Sequence, residues 1–285
     1  IILLLIQIGG MGIVTIFIAV AVVSGQKIGL MQRGTMQEAI AAPTINGIVR
    51  KTEFIIKTVV LIELIGAAIL APVFCRDFGF WKGIWYSLFH SISAFCNAGF
   101  DLMGIKEPFS SITSYSTQPI VNMTIMALII VGGIGFLTWE DIKNNKWNFK
   151  KYRMQSKVIL SVTALLIVLP TLYFFFFEFS HLPVVERIWV SLFQAVTPRT
   201  AGFNSVDLTL ISEVGQMLII ILMIIGGSPG STAGGMKTTT IAVLVSSALS
   251  VFRKKEHAHF FGRRISDNTI KNATTILLMY ITLFL

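Results

Sequence analysis

Charge is scarce in this chain: only 13% of its 285 residues are Asp, Glu, Lys or Arg, about half the share of an ordinary soluble domain. So little polar surface excludes a soluble globular fold and makes a bilayer the natural solvent. Cysteine is nearly absent as well. Cys75 and Cys96 cannot build a disulfide framework, which excludes a small disulfide-stapled scaffold, and Cys96 reads as a small buried thiol. No Ser-His-Asp set and no paired carboxylates fall in a plausible cavity, so enzymatic catalysis has no visible apparatus. His257 and His259 lack the further ligands of a metal site. No basic leader precedes the apolar run that begins at Ile1, so no cleavable signal is expected, and both ends read as cut.

What is present is apolar: 54% of the residues are hydrophobic. About 20 apolar residues cross a bilayer, and the runs near 1–23, 54–74, 117–138, 157–178 and 214–250 are long enough. A sixth begins near 269. Two shorter runs, 82–95 and 186–197, are too short to span and suit re-entrant or interfacial helices. The net charge of +9 does not imply nucleic acid, because its placement is ordered. Seventeen of the 23 Lys and Arg residues lie within 24–57, 143–157 and 253–271. Those segments separate apolar runs, as cytoplasmic loops do under the positive-inside rule.

The resulting order, helix, short helix, loop, helix, occurs twice. Ser87-Leu88-Phe89 opens one short helix and Ser191-Leu192-Phe193 the other. Asn97-Ala98-Gly99-Phe100 follows the first and Thr200-Ala201-Gly202-Phe203 the second, with one residue of gap between the matches. The helices that follow carry Gly132-Gly133-Ile134-Gly135 and Gly226-Gly227 with Gly230; Gly9-Gly10-Met11-Gly12 marks the first run. Two complete units flanked by two halves are therefore expected. The closing helix of a first unit covers 1–23, a second unit 54–138, a third 157–250 and the start of a fourth 269–285. Cytoplasmic loops lie at 24–53, 139–156 and 251–268. The fold class is all-α, a polytopic membrane protein of helix–pore-loop–helix units with pseudo-four-fold closure around a pore.

Backbone left unpaired at membrane depth is tolerated only where protein buries it or it lines a watery path. There, bare carbonyls can replace an ion's hydration shell. Glycine admits the dihedrals that turn successive carbonyls to one axis, and Gly99 and Gly202 sit at matching points. The partial negative charge at the C-terminal ends of the short helices favours a cation between them. The fifth run is broken by five glycines and Pro229 within 226–235, too many breakers for a regular helix. Its small residues suit a movable plug beneath the loops. Close packing of small residues explains Gly9-Gly10 and Gly132-Gly133, where the helix is expected to continue unbroken. A phosphate-binding P-loop is excluded, since Met236 intervenes before Lys237-Thr238 and no strand precedes the glycines.

The stretches Ser93–Phe100, Thr197–Phe203 and Gly226–Thr240 resemble the Trk/Ktr/HKT potassium-transporter family, most closely its bacterial Ktr-type membrane subunit. The resemblance runs the length of the chain. It implies a multi-pass bacterial cell-membrane protein that conducts K⁺, with a dependence on Na⁺ as a family trait. Asn97, Ala98, Gly99, Phe100, Thr200, Ala201, Gly202 and Phe203 would form two of four parts of a selectivity filter. The intramembrane gate would comprise Gly226, Gly227, Ser228, Pro229, Gly230, Ser231, Thr232, Ala233, Gly234, Gly235 and Lys237. A homodimer in membrane lipid and a cytosolic nucleotide-binding regulatory ring are the implied partners, with no nucleic acid and no bound cofactor. The first and fourth filter loops are not in the chain.

Two residues keep alternatives. Glu63, within a span, joins the ion path, hydrogen-bonds a neighbouring helix or sits near the outer water layer. Lys237 either repels cations in a closed state or snorkels to the inner interface. Arg199 is expected to brace the second loop through carbonyl hydrogen bonds. The rival functions are a secondary transporter of another solute, which would show inverted units and midplane charged ligands, and a nucleotide-driven pump subunit.

Overall fold

The computed structural model describes residues 1–12, 29–40, 47–105, 110–146 and 148–284. Helices dominate them. They are α1 (Ile2–Met11), α2 (Leu30–Ala39), α3 (Ile48–Phe78), α4 (Phe80–Phe95), α5 (Pro119–Gly133), α6 (Phe136–Asn145) and α7 (Met154–Tyr173). Then follow α8 (Val184–Val196), α9 (Glu213–Ile224), α10 (Thr238–Phe252) and α11 (Asp267–Phe284). A hairpin of β1 (His259–Phe260) and β2 (Arg263–Arg264) precedes α11. The all-α expectation is corrected to that extent: one small antiparallel hairpin lies in the basic segment 251–268.

Among the described residues two helices are long and apolar enough to cross a membrane, α3 and α7 with its π-helical extension to Glu178, and the bent pair α5–α6 makes a third if it is one span. The extension follows Pro170, whose missing N–H and bulky ring disturb the regular ladder. Leu61, Leu64, Leu165 and Leu169 are each more than half exposed, as lipid-facing side chains are. The expected first span is described only to Gly12, and residues 13–23 lie outside the described residues.

The expectation of an unbroken helix through Gly132-Gly133 fails. α5 stops at Gly133, Gly135 takes φ 88°, and α6 leaves at 98°. The expected run 214–250 is divided, as its glycines require, into α9 and α10.

The short helices are α4 and α8. Gly79 turns α3 into α4, and Gly83 allows the two to touch, since a Cβ there would collide with the Cys75 backbone. α4 packs between α3 and α5, and α8 lies between α5 and α7. Phe74, Phe95, Phe193 and Phe203, all fully buried, join these helices in one apolar core. Cys96 is buried in that core with a free thiol.

Candidate functional site

The two loops after the short helices are built alike. At the end of α4, the Ser93 carbonyl accepts from the Ala98 amide (2.9 Å), and its hydroxyl donates to the Phe100 carbonyl (2.7 Å). After α8, the Thr197 carbonyl accepts from the Ala201 amide (3.0 Å), and its hydroxyl donates to the Phe203 carbonyl (2.6 Å). In each loop one hydroxyl residue therefore clamps both ends of the turn. Asn97 (φ 51°) and Thr200 (φ 69°) hold left-handed backbone at the same step, two residues before Gly99 (φ 71°) and Gly202 (φ 87°). The one-residue gap in the sequence match falls between the clamping hydroxyl and this left-handed residue, so the extra residue is absorbed without moving the glycine.

The glycines face each other. A Cβ on Gly99 would collide with the Ala201 carbonyl oxygen, whereas one on Gly202 would lie 3.6 Å from the Gly99 Cα, in ordinary contact. The phenylalanines differ: Phe203 is fully buried and Phe100 is 58% exposed. Further bonds tie the second loop to the segment that leads into α5. The Ile112 amide donates to the Asn204 carbonyl (3.1 Å), and the Asn204 amide donates to the Ser111 hydroxyl (3.1 Å). A cavity of about 460 Å³ beside the second loop is lined by Thr197, Thr200, Gly202 and Asn204.

Sequence reasoning missed His90. It is fully buried, its Nδ1 lies 2.7 Å from the Tyr86 carbonyl, and its Nε2 accepts from the Leu102 amide at 3.3 Å. A ring with Nδ1–H donating and Nε2 accepting satisfies both partners. The ring also sits 6.4 Å from that of Phe203, bridging the loops. A histidine one turn before the loop was the available signal, but nothing in the sequence names its partners.

The glycine-rich segment between α9 and α10 lies against both loops. It closes at its base where the Gly226 amide donates to the Met236 carbonyl (3.0 Å) and the Met236 amide to that of Ile224 (3.1 Å). Thr232 touches the first loop twice: its hydroxyl donates to the Phe95 carbonyl (2.8 Å) and accepts from the Asn97 side-chain amide (3.0 Å). The second loop is touched where the Gly234 amide donates to the Thr200 hydroxyl (3.2 Å). A third support is the α5–α6 bend. The Ser228 and Thr232 amides donate to the carbonyls of Gly133 (2.9 Å) and Gly132 (3.1 Å), and Phe136 donates back to Gly230 (2.8 Å). Buried Ser228 pairs with Thr238 at 3.0 Å. The Lys237 Nζ donates to the Ala233 carbonyl inside the segment (2.7 Å).

Glu63 falls to the second of its alternatives. It is 5% exposed behind the first loop and accepts from the Gln7 side chain at 3.0 and 3.2 Å. The Ser91 hydroxyl donates to its backbone carbonyl at 2.6 Å. The buried Nε of Arg199 has no hydrogen-bond partner among the described residues.

Two loops with matching left-handed residues, each clamped by a hydroxyl, thus meet a broken helix that bonds to both. The family model described as a cation transport protein, TrkH, matches residues 2–285. The chain belongs to the TrkH cation-transport family. It is 41% identical to the potassium/sodium uptake protein NtpJ of Enterococcus hirae over 99% of this chain and 62% of that protein. It is 38% identical to the Ktr system potassium uptake protein B of Bacillus subtilis over 98% of this chain and 64% of that protein. The fold is similar to that of the potassium transporter TrkH from Vibrio parahaemolyticus, with a TM-score of 0.71 at 18% identity, covering 98% of this chain and 56% of the other. This chain thus spans less than two thirds of these relatives. The family and these relatives are ion-transport proteins rather than enzymes.

Proposed function

We propose that the chain is the central part of a potassium-uptake subunit. In this reading the carbonyls of Asn97–Phe100 and Thr200–Phe203 replace part of the hydration shell of K⁺. Residues 54–138 and 157–250 are two like-directed pore units, and two further units, a first that closes with 1–23 and a fourth that opens with 269–285, complete a pseudo-four-fold filter. Gly226–Gly235 with Lys237 is the intramembrane gate. The observation that carries the reading is Thr232, which links the broken helix to both Phe95 and Asn97. A segment bonded to the mouth of a carbonyl-lined loop can block it when seated and free it when released. Support for K⁺ as the ion comes from the relatives' names, one of which includes sodium; the Na⁺ dependence extends from that name. The homodimer and a cytosolic nucleotide-binding ring on the inner basic segments belong to the same proposal.

The test is K⁺ uptake by the full-length parent in cells lacking their own K⁺ import, comparing wild type with Gly202→Ser. The serine forces a side chain onto left-handed backbone, which costs about 1–2 kcal/mol, without a steric collision. The expected result is growth at low K⁺ with wild type and loss of K⁺-over-Na⁺ preference in the variant. Equal behaviour at equal expression would reduce Gly202 to an ordinary turn and remove the filter assignment.

A further inference from the structure

A groove of about 340 Å³ runs between α7 and α10, away from both pore loops. Its wall is aliphatic, with Leu165 and Leu166 from α7 and Val245 and Leu249 from α10. Leu165, Val245 and Leu249 are each about half exposed. At one end the lining changes to Arg253, Lys255, His257 and His259. His257 Nδ1 is buried there with no hydrogen-bond partner among the described residues. No carboxylate lines the groove; the nearest in sequence, Glu256, is exposed. Phe260 closes the groove on one side of the β-hairpin. On the other side Phe261 lines a second cavity of about 180 Å³ with Lys150, Lys151, Lys157 and Arg263.

An aliphatic channel with a cationic end matches one ligand chemistry, an acyl chain carrying an anionic headgroup. A short apolar peptide would leave the cations without a partner, and a free phosphate would leave the aliphatic wall bare. The basic end belongs to a segment whose charge places it on the cytoplasmic side, where anionic lipids attract basic residues near the membrane surface. We propose that this groove binds an anionic phospholipid of the cytoplasmic leaflet, its acyl chain between α7 and α10 and its phosphate on Arg253 and Lys255. The unpaired His257 Nδ1 offers the headgroup one more hydrogen bond. The site stands apart from the ion path. It is joined to it through α10, whose first residue, Thr238, bonds Ser228 of the glycine-rich segment.

The test uses the full-length parent in mild detergent, titrated with dioleoylphosphatidylglycerol or dioleoylphosphatidylcholine, with bound lipid counted by native mass spectrometry. Wild type should prefer the anionic lipid by roughly 30-fold, from two cations near the surface. Arg253→Gln with Lys255→Gln should erase that preference while leaving weak binding of both lipids. Val245→Trp, which fills the channel, should reduce binding of both. Glycerol phosphate at millimolar concentration should not displace the lipid. Equal binding of the two lipids by wild type would overturn the proposal, as would a preference that survives the double substitution. Such a result would mean that another segment of the parent covers the groove. Displacement by glycerol phosphate would reassign the basic end to a free anion. Arg253 and Lys255 are exposed, so the double variant folds and keeps the test decisive if the tryptophan does not. Loss of lipid preference with intact K⁺ uptake would leave the filter reading untouched.

Discussion

The two glycine-marked breaks solve the same problem in opposite ways. At Gly133–Gly135 the chain turns through 98° in two residues and resumes as a helix. At Gly226–Lys237 it opens into a long loop before α10 begins. Each break frees backbone groups that water cannot satisfy at membrane depth. The answer is mutual, because the carbonyls freed at the bend accept from amides of the loop, and Phe136 returns a bond to Gly230. A sharp, short break makes a rigid seat. In the proposed reading the long, small-residue break is the part that leaves it. That difference fits a fixed support and a movable gate.

Filling the seat should produce the largest effect. Gly132→Val would drive a side chain into the Phe95 carbonyl and to within 2.7 Å of the Thr232 hydroxyl, judged from the space its Cβ would meet. Overpacking of this kind costs about 1–3 kcal/mol. The expected outcome is a lowered unfolding temperature of the full-length parent and loss of K⁺ uptake. The same substitution at Gly9, whose Cβ would meet nothing within 4 Å among the described residues, should leave both nearly unchanged. Equal damage at the two sites would erase the distinction between seat and ordinary helix.

A finer comparison sets the two loops against each other. Gly99→Ala adds a collision with the Ala201 carbonyl to the strain of φ 71°, whereas Gly202→Ala adds strain alone at φ 87°. Left-handed backbone costs a non-glycine about 1–2 kcal/mol at either position, so the loss of thermal stability in Gly99→Ala should exceed that in Gly202→Ala by the cost of the collision, about 1 kcal/mol. Matching losses would mean that the loops do not meet at their glycines.

The smallest effect lies at the inner rim. Burial alone would raise the Glu140 carboxyl, but Arg153 at 2.8 Å and Lys51 at 3.3 Å hold it below its ordinary value of 4.5. Because the folded value is depressed, the contribution is complete above about pH 5 and is lost as pH falls through the folded value. Glu140→Gln should cost about 0.2–1 kcal/mol near pH 7, and the gap between wild type and variant should close below pH 4.5. Unfolding curves at pH 7 and pH 4 measure it.

The sequence made the two short helices, the left-handed loops and the second break legible. α4 and α8 begin within two residues of the apolar runs that marked them, and five glycines with a proline admit no regular helix. The first break was hidden because Gly132-Gly133 suits close packing as well as a bend. What decides between these is a carbonyl partner in the glycine-rich segment, almost a hundred residues later in the chain. Thr232 was included among the gate residues, but its role as a bridge to Phe95 and Asn97 depends on contacts that no local pattern encodes. Gln7 and Glu63 were equally opaque, since a buried carboxylate is explained only by the donor that faces it. For Arg199 the expected bracing bond is not made by its Nε among the described residues.

The most direct test of the seated gate is K⁺ flux through the full-length parent in proteoliposomes, wild type against Thr232→Val. Valine keeps the shape but deletes the bonds to Phe95 and Asn97, and each buried hydrogen bond contributes about 1 kcal/mol. The closed state should lose about 2 kcal/mol, raising basal flux by roughly tenfold or more where the gate is mostly shut. Unchanged flux at equal protein incorporation would contradict the account, because Thr232 would then hold nothing that opens.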